Sequence, residues 1–201
     1  VDLIVNPEIK QVFIKKFKII NSIKDTLNKH GYIEVDTPVL QPLYGGANAK
    51  PFKTYVNDLK REAYLRISDE LYLKRLIVGG FDKVYELSKD FRNESITTKH
   101  NPEFSMIEFY EAYADYNDMM KLTQEIIINA NKAINNTNNI ESFNHKINLK
   151  IPWKIITMKE AIKKFGKMDV DKLNDKELFK LKDQYKLEHK GNLTRGWMIQ
   201  L

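Results

Sequence analysis

Arg92, Glu94, His100, Phe104, Glu108 and Tyr110 fall in the single stretch 82–116, which gathers an arginine fork, acids, an imidazole and aromatic rings. Charge pairing is the chemistry open to such a set. A planar guanidinium can hold an anion through two parallel bonds, and an acid among large apolar groups is costly to bury unless a cation comes to meet it. Arg92 is the nearest internal candidate for that cation. The same residues also have a plain reading: Glu108 at a solvated edge or in a structural ion pair, Phe104 as core, His100 as a loop residue and Glu94 as a surface acid.

Spacing indicates which elements carry these side chains. Lys83 to Phe91 is rich in Val, Tyr, Leu and Phe, Glu103 to Tyr113 repeats apolar and aromatic residues at alternate positions, and Asn93 to Pro102 is polar. The pattern predicts a long antiparallel hairpin. Residues two apart on a strand share a face, so Phe104, Met106, Glu108 and Tyr110 point one way and Ser105, Ile107, Phe109 and Glu111 the other.

The rest of the chain, 201 residues and 42% hydrophobic, suffices for one buried core with a small appendage. No apolar run approaches a membrane span and no signal-peptide pattern opens it, which points to a soluble intracellular protein. The absence of cysteine excludes disulfides and thiolate zinc sites, and His30, His100, His145 and His189 are too scattered for a metal cluster. A net charge of +6 permits a polyanionic partner without requiring one. The lysines after Lys146 suit a solvated helix surface.

Asn6-Pro7-Glu8 predicts a helix start, Phe13, Phe17, Ile20, Ile23 and Leu27 one buried face, and Gly31 the stop. Tyr32 to Val35 reads as a short strand, Thr37-Pro38 as a strand edge, and Leu40 to Phe52 as a loop in which Gly45-Gly46 makes a tight turn. A hairpin over Phe52–Val56 and Ala63–Ile67 precedes a helix, Glu70 to Val78, capped by Ser68. Glu70 then lies in a first turn, where the helix dipole favours its charge. Another amphipathic helix begins at Tyr116. Asn135 to Phe143 reads as a linker, Ile147 to Ile151 as a strand, and Thr157 and Asn174 as caps of two further helices.

Phe91-Arg92-Asn93-Glu94, followed by His100 and Phe104, closely resembles motif 2 of the class II aminoacyl-tRNA synthetases, and Asn101 to Tyr116 is similar to the lysyl branch. Lys29-His30-Gly31-Tyr32 through Thr37-Pro38-Val39-Leu40 resembles motif 1 of that family. Leu40 to Phe52 and the run ELYLKRLIVGG from Glu70 again resemble the lysyl enzymes, so the likeness covers nearly the whole chain. It implies an α+β fold: an antiparallel class II sheet flanked by helices, incomplete here, with a core over 1–134 (motif 1 about 9–40, motif 2 about 82–116) and a linker and small helical insertion over 135–201.

The resemblance also implies roles. Lysine would be activated by ATP to lysyl-adenylate and transferred to tRNA(Lys) by a homodimer, cytoplasmic or organellar. The lysine carboxylate is already ionised at neutral pH, so such a reaction needs alignment and charge neutralisation rather than a general base. By this likeness Arg92 is the catalytic residue, bridging the lysine carboxylate and the α-phosphate. Glu94 accepts from the adenine amino group, Phe104 stacks on the base and His100 lies near the terminal phosphates. Gly46 and Glu70 meet the α-ammonium, Glu108 and Tyr110 select the side chain, and Pro38 belongs to the dimer interface. Mg2+ would take its ligands mainly outside this chain, with no metal ligand within it.

Four residues depart from the family pattern. Ser68-Asp69 replaces the usual Ala-Pro, adding an acid that bears on pocket charge, and Ser95 and Thr97 stand where Gly and Asp are common. The family's anticodon-binding barrel and its motif 3 have no counterpart here. The chain is therefore expected to be a portion of a catalytic domain, weak or inactive alone. Two other readings stay open: a related ligase attaching lysine or β-lysine to a protein, and a non-catalytic dimerising paralogue.

Overall fold

Pro7 opens the longest helix, where its fixed φ is already helical and its missing N–H is not needed. In the computed structural model, which describes residues 1–142, 144–185 and 194–200, one turn, α1 (Asp2–Val5), leads into α2 (Pro7–Lys29). Phe143, His189 and Leu201 lie outside the described residues. Asn6 occupies the cap position of α2, but its amide donates to Asp2 (2.6 Å) and makes no cap bond. Gly31, at φ +81°, turns the chain away. Then come β1 (Ile33–Glu34), β2 (Leu40–Gln41), which falls within the expected loop, and the hairpin β3 (Lys53–Val56) and β4 (Arg61–Leu65).

The helix α3 (Glu70–Val78) starts where the Ser68 hydroxyl accepts from the Glu70 N–H (3.2 Å). The expected long hairpin follows as β5 (Lys83–Phe91) and β6 (Glu103–Glu111), ending before Tyr113, whose φ of +60° breaks the strand. Asp115 caps α4 (Tyr116–Ile134) in a capping box. Beyond it β7 (Asn139–Ser142) and β8 (His145–Asn148) form a hairpin where a linker and a later strand were expected. Asn144, at φ +64°, supplies the left-handed turn position that asparagine tolerates.

Among the described residues three sheets form, with orders β1-β5-β6, β2-β4-β3 and β7-β8. The fold is α+β, with mixed or antiparallel sheets flanked by helices. β1 runs parallel to β5, while β5 and β6 pair antiparallel in a register that sets Glu86 opposite Glu108 and Asp90 opposite Phe104. Opposed residues share a face. One face therefore carries Tyr85, Ile107 and Phe109, which join Leu27, Tyr32, Leu122 and Ile126 in the core beneath α2 and α4. The other face carries Glu86, Ser88, Asp90, Phe104, Glu108 and Tyr110. It is left to α3 and the loops.

The buried face expected along all of α2 is only half present. Leu27 is fully buried, whereas Phe13 and Phe17 are 51% and 60% exposed. The reason is register: Asn129 bonds Thr26 (3.1 Å) and Glu125 meets His30 (2.9 Å), so the antiparallel α4 runs out beside the middle of α2.

Two compact units divide the chain, Val1–Leu149 and Lys150–Leu201. β7 and β8 lie in the first unit. In the second, α5 (Met158–Phe165) and α6 (Asp175–Gln184) begin in the expected capping boxes at Thr157 and Asn174, and α7 (Arg195–Gln200) closes it. Arg195 ties this unit together, donating to the carbonyls of Val170 (2.7 Å) and Leu173 (2.8 Å) and to Asp175 (2.8 Å). No helix among the described residues is long and apolar enough to cross a membrane.

Candidate active site

The end of the β5–β6 hairpin opens into a cavity of about 490 Å3 lined by Arg92, Glu94, His100 and Phe104, with Ser95 and Thr97. All four side chains proposed for the nucleotide thus meet in one place. The Arg92 N–H donates to the Pro102 carbonyl (2.8 Å), which closes the loop and brings the guanidinium over the Phe104 ring, 5.1 Å from its centre. The Lys50 N–H donates to Glu94 (3.2 Å) and the Asn93 N–H donates to the Lys50 carbonyl (2.7 Å), so the loop before β3 is fastened to this one. Thr97 has a structural task of its own, pairing with the His100 ring (2.8 Å). A larger depression, about 670 Å3, is lined by Glu34, Asp36, Lys89 and Ser105 among others and contains none of the expected site residues.

Glu108 is not met by Arg92. The guanidinium donates instead to the Ile67 carbonyl (3.3 and 3.4 Å), and neutral donors hold the acid. Ser68 Oγ (2.6 Å) and the Asp69 N–H (3.2 Å) donate to one oxygen of Glu108, and the Tyr110 hydroxyl (3.0 Å) donates to the other. Burial, then Glu108 beside it, pushes the Tyr110 phenol above its ordinary range, so it remains a donor at neutral pH. The correction follows from register. Arg92 lies past the end of β5, where its length is needed to reach Ile67, while Glu108 sits mid-strand under the start of α3.

Gly46 and Glu70 complete this second group. At φ +86° Gly46 is in the left-handed region, and a Cβ there would come within 2.8 Å of both the Ser68 hydroxyl and the Glu70 Cβ. Only glycine lets the backbone approach so near. Glu70 is engaged by Lys74 (2.6 Å), an exposed side chain whose ammonium also lies 5.8 Å from the centre of the Tyr110 ring. A protein ammonium therefore already occupies the acceptor that the sequence reading gives to a substrate ammonium. Pro38 lies away from this group, exposed between β1 and β2 beside Val39 and Leu40.

Sequence reasoning missed Arg66. Buried to 3% exposure, it donates to Glu86 (2.6 Å) and the carbonyls of Thr37 (3.1 Å) and Lys89 (3.0 Å), and lies 3.2 Å from Asp69 and 3.3 Å from Asp90. The available signal was Glu86, Ser88 and Asp90 at alternate positions, a polar face on a strand that is otherwise core. Burial raises Asp90 above the usual carboxylate range, against the pull of Arg66 and Ser88. Oxygens of Asp69, Asp90 and Glu108 lie within 4.8 Å of one another. Such a trio would suit a hard cation, but Asp69 and Asp90 already face the Arg66 guanidinium and Glu108 is held by Ser68, the Asp69 N–H and Tyr110, and we assign no metal to them.

The family model for tRNA synthetases class II (D, K and N) matches residues 1–193. A Lysine–tRNA ligase of Syntrophomonas wolfei subsp. wolfei is 46% identical over 200 residues, covering 99% of this chain and 41% of the relative. One of Methanospirillum hungatei is 51% identical over 169 residues, 84% and 34% respectively, and one of Methanoculleus marisnigri 47% identical over 205 residues, 100% and 40%. The chain thus spans less than half the length of these relatives. With the family match running from the first residue through nearly all of the chain, the protein belongs to the class II (D, K and N) tRNA synthetases.

Proposed function

We propose that the chain is part of the catalytic domain of a lysine–tRNA ligase, activating lysine with ATP to lysyl-adenylate for transfer to tRNA(Lys). One observation carries the reading. Arg92 lines the nucleotide-sized cavity and is bonded to the Ile67 carbonyl, and the next residue, Ser68, holds Glu108 (2.6 Å). The anion-binding fork and the ammonium acceptor are therefore neighbours across a single peptide. A lysine laid between them presents its carboxylate to Arg92 and its side-chain ammonium to Glu108 and Tyr110, with its α-ammonium toward Glu70 and the Gly46 backbone.

In this arrangement Arg92 bridges the lysine carboxylate and the α-phosphate, lowering their repulsion as charge gathers between them. Phe104 stacks on adenine, Glu94 accepts from its amino group, and His100 sits at the phosphate end. Mg2+ would neutralise charge on the phosphates, with its protein ligands expected mainly outside this chain. Glu108 and Tyr110 form the selective end, because an uncharged side chain would leave a desolvated acid unpaired. Isothermal titration tests the assignment. Lysine is expected to bind and norleucine, which lacks the ammonium, is not; Glu108→Gln should weaken lysine by roughly 30-fold, the low end for breaking a buried charge pair. Equal binding of lysine and norleucine would refute it.

We further propose a homodimer through α2, Pro38 and the strand edge, in which the exposed Phe13 and Phe17 face a second copy, with Lys150–Leu201 as a small helical insertion. Isolated large apolar side chains on a surface are ordinary, but a row along one helix marks an interface. Sedimentation equilibrium should find a dimer in the parent and a monomer in Phe17→Glu. A monomeric parent counts against the assembly but not against the ligand sites. A cytoplasmic setting fits a cysteine-free chain, and fractionation of source cells would check it.

A further inference from the structure

Asp69 is fully buried at the entry to α3, and neither of its carboxylate oxygens has a hydrogen-bond partner. One oxygen lies 3.2 Å from Arg66 Nη1, but both hydrogens of that nitrogen are committed, to Glu86 (2.6 Å) and to the Thr37 carbonyl (3.1 Å). The Ser88 hydroxyl is directed to Asp90 (3.2 Å) while lying close enough to Asp69 to act on its carboxyl as well. Facing Asp69 are Arg66 from the end of β4, Glu86, Ser88 and Asp90 from β5, and Glu108 and Tyr110 from β6. Along its own helix lie Glu70 and Lys74. One buried cation thus stands against four buried or half-buried acids, which cannot all be ionised out of water. Burial accordingly pushes the Asp69 carboxyl up to about 7, with Asp90 and Glu86 reinforcing the rise against Ser88 and Arg66.

Asp69 is also joined to the proposed substrate acceptor. Its backbone N–H holds Glu108 (3.2 Å), and its carboxylate lies within 4.8 Å of the Glu108 carboxylate. Resting on the lysine reading of the site, we propose that Asp69 is a positioning acid behind Glu108. Below neutral pH it is protonated while the pocket is empty and ionises when the substrate's side-chain ammonium docks on Glu108, so that lysine binding there releases up to one proton to solvent. The exchange balances: one positive charge enters the pocket and one proton leaves it. The device belongs to this chain's Ser68-Asp69, since the proline usual at the second position has no proton to give. Affinity for lysine then rises with pH up to about 7 and is level above, because the ionised form binds the ammonium and is already present there.

Calorimetric titration of the chain with lysine at about pH 6, in phosphate, MES and bis-tris buffers of different ionisation enthalpy, counts the protons. The parent is expected to release about one proton per lysine at pH 6 and almost none at pH 8.5, and Asp69→Asn is expected to bind lysine with the release lost. Lysine binding by the parent without proton exchange at pH 6, or an unchanged count in Asp69→Asn, overturns the proposal and leaves the substrate reading standing. Failure of the parent to bind lysine at either pH overturns both. A ligand-free arm separates them. An acid whose pKa is raised by folding adds stability at low pH that is lost as pH rises through its folded value. In urea unfolding the parent should therefore lose stability relative to Asp69→Asn between about pH 4 and 7, and no further above. A constant difference across that window overturns the neutral Asp69 whatever lysine does. Should the asparagine variant not fold, the parent's proton count decides alone.

Discussion

Replacing Arg66 with leucine is expected to destabilise the chain by about 3–5 kcal/mol, the usual cost of removing one partner from a buried ionic group. The magnitude follows from what remains. Asp69, Glu86 and Asp90 are each 2% exposed or less, and without Arg66 they would face one another with only Arg92 acting, on Asp90, from further off. Leucine fills part of the space but accepts none of the lost interactions, and the carbonyls of Thr37 and Lys89 lose their donors. The deficit should shrink as pH falls, because the stranded carboxyl groups become neutral and desolvating them costs less. Arg66→Lys should be milder, keeping the charge without the fork that spans Glu86 and Asp90. Urea denaturation followed by circular dichroism at pH 5 and 8 measures all three proteins. A loss below about 1 kcal/mol at pH 8 would show that the cluster is already neutral and Arg66 dispensable.

The second large effect is on ligands. Arg92→Ala should weaken a non-hydrolysable lysyl-adenylate analogue by about 100-fold or more, in line with the loss of a single preorganised donor to a developing anion. Folding should be nearly unaffected, since the guanidinium gives up only its bonds to the Ile67 carbonyl and its contact with Phe104, the latter worth about 0.5–1 kcal/mol at an accessible ring. Arg92→Lys should recover a minor part of the affinity, because an ammonium cannot bridge two anions with a rigid fork. Isothermal titration, with circular dichroism as the check on fold, distinguishes the outcomes. If the alanine variant bound the analogue within a few-fold of the parent, Arg92 would be a structural residue clasping Ile67, and the catalytic assignment would fall.

The proposed lysine selectivity, proton linkage at Asp69 and adenylate contact of Arg92 would share one origin. Acids on a single sheet face outnumber the cations supplied by the chain, and the deficit matches a substrate that carries ammonium groups. Arg66 neutralises the inner end of that face and keeps it folded. In the proposed reading the outer end, at Glu108 with Glu70 beside it at the start of α3, would be completed by a ligand, while Lys74 pairs with Glu70 from the exposed side (2.6 Å).

The local grammar of the chain was legible without coordinates. Strand alternation placed Phe104, Glu108 and Tyr110 on one face and Ile107 and Phe109 on the other, because side-chain direction in a strand depends only on parity. The capping boxes at Thr157 and Asn174 and the start of α2 at Pro7 are likewise set by neighbours within one turn. So is the division of labour in the 82–116 stretch between two strands and a polar loop. Contacts across the chain were decided by the tertiary structure. Arg66 looked like an ordinary strand residue until β4 was laid beside β5. Glu108 was assigned to Arg92 by nearness in sequence, and register gave it instead to Ser68, Asp69 and Tyr110. Phe13 and Phe17 keep helical spacing with Leu27, yet the length and register of α4 leave them uncovered. In each case a short-range rule named the side chain and its face, and only the packing of distant segments, which no local preference encodes, chose its partner.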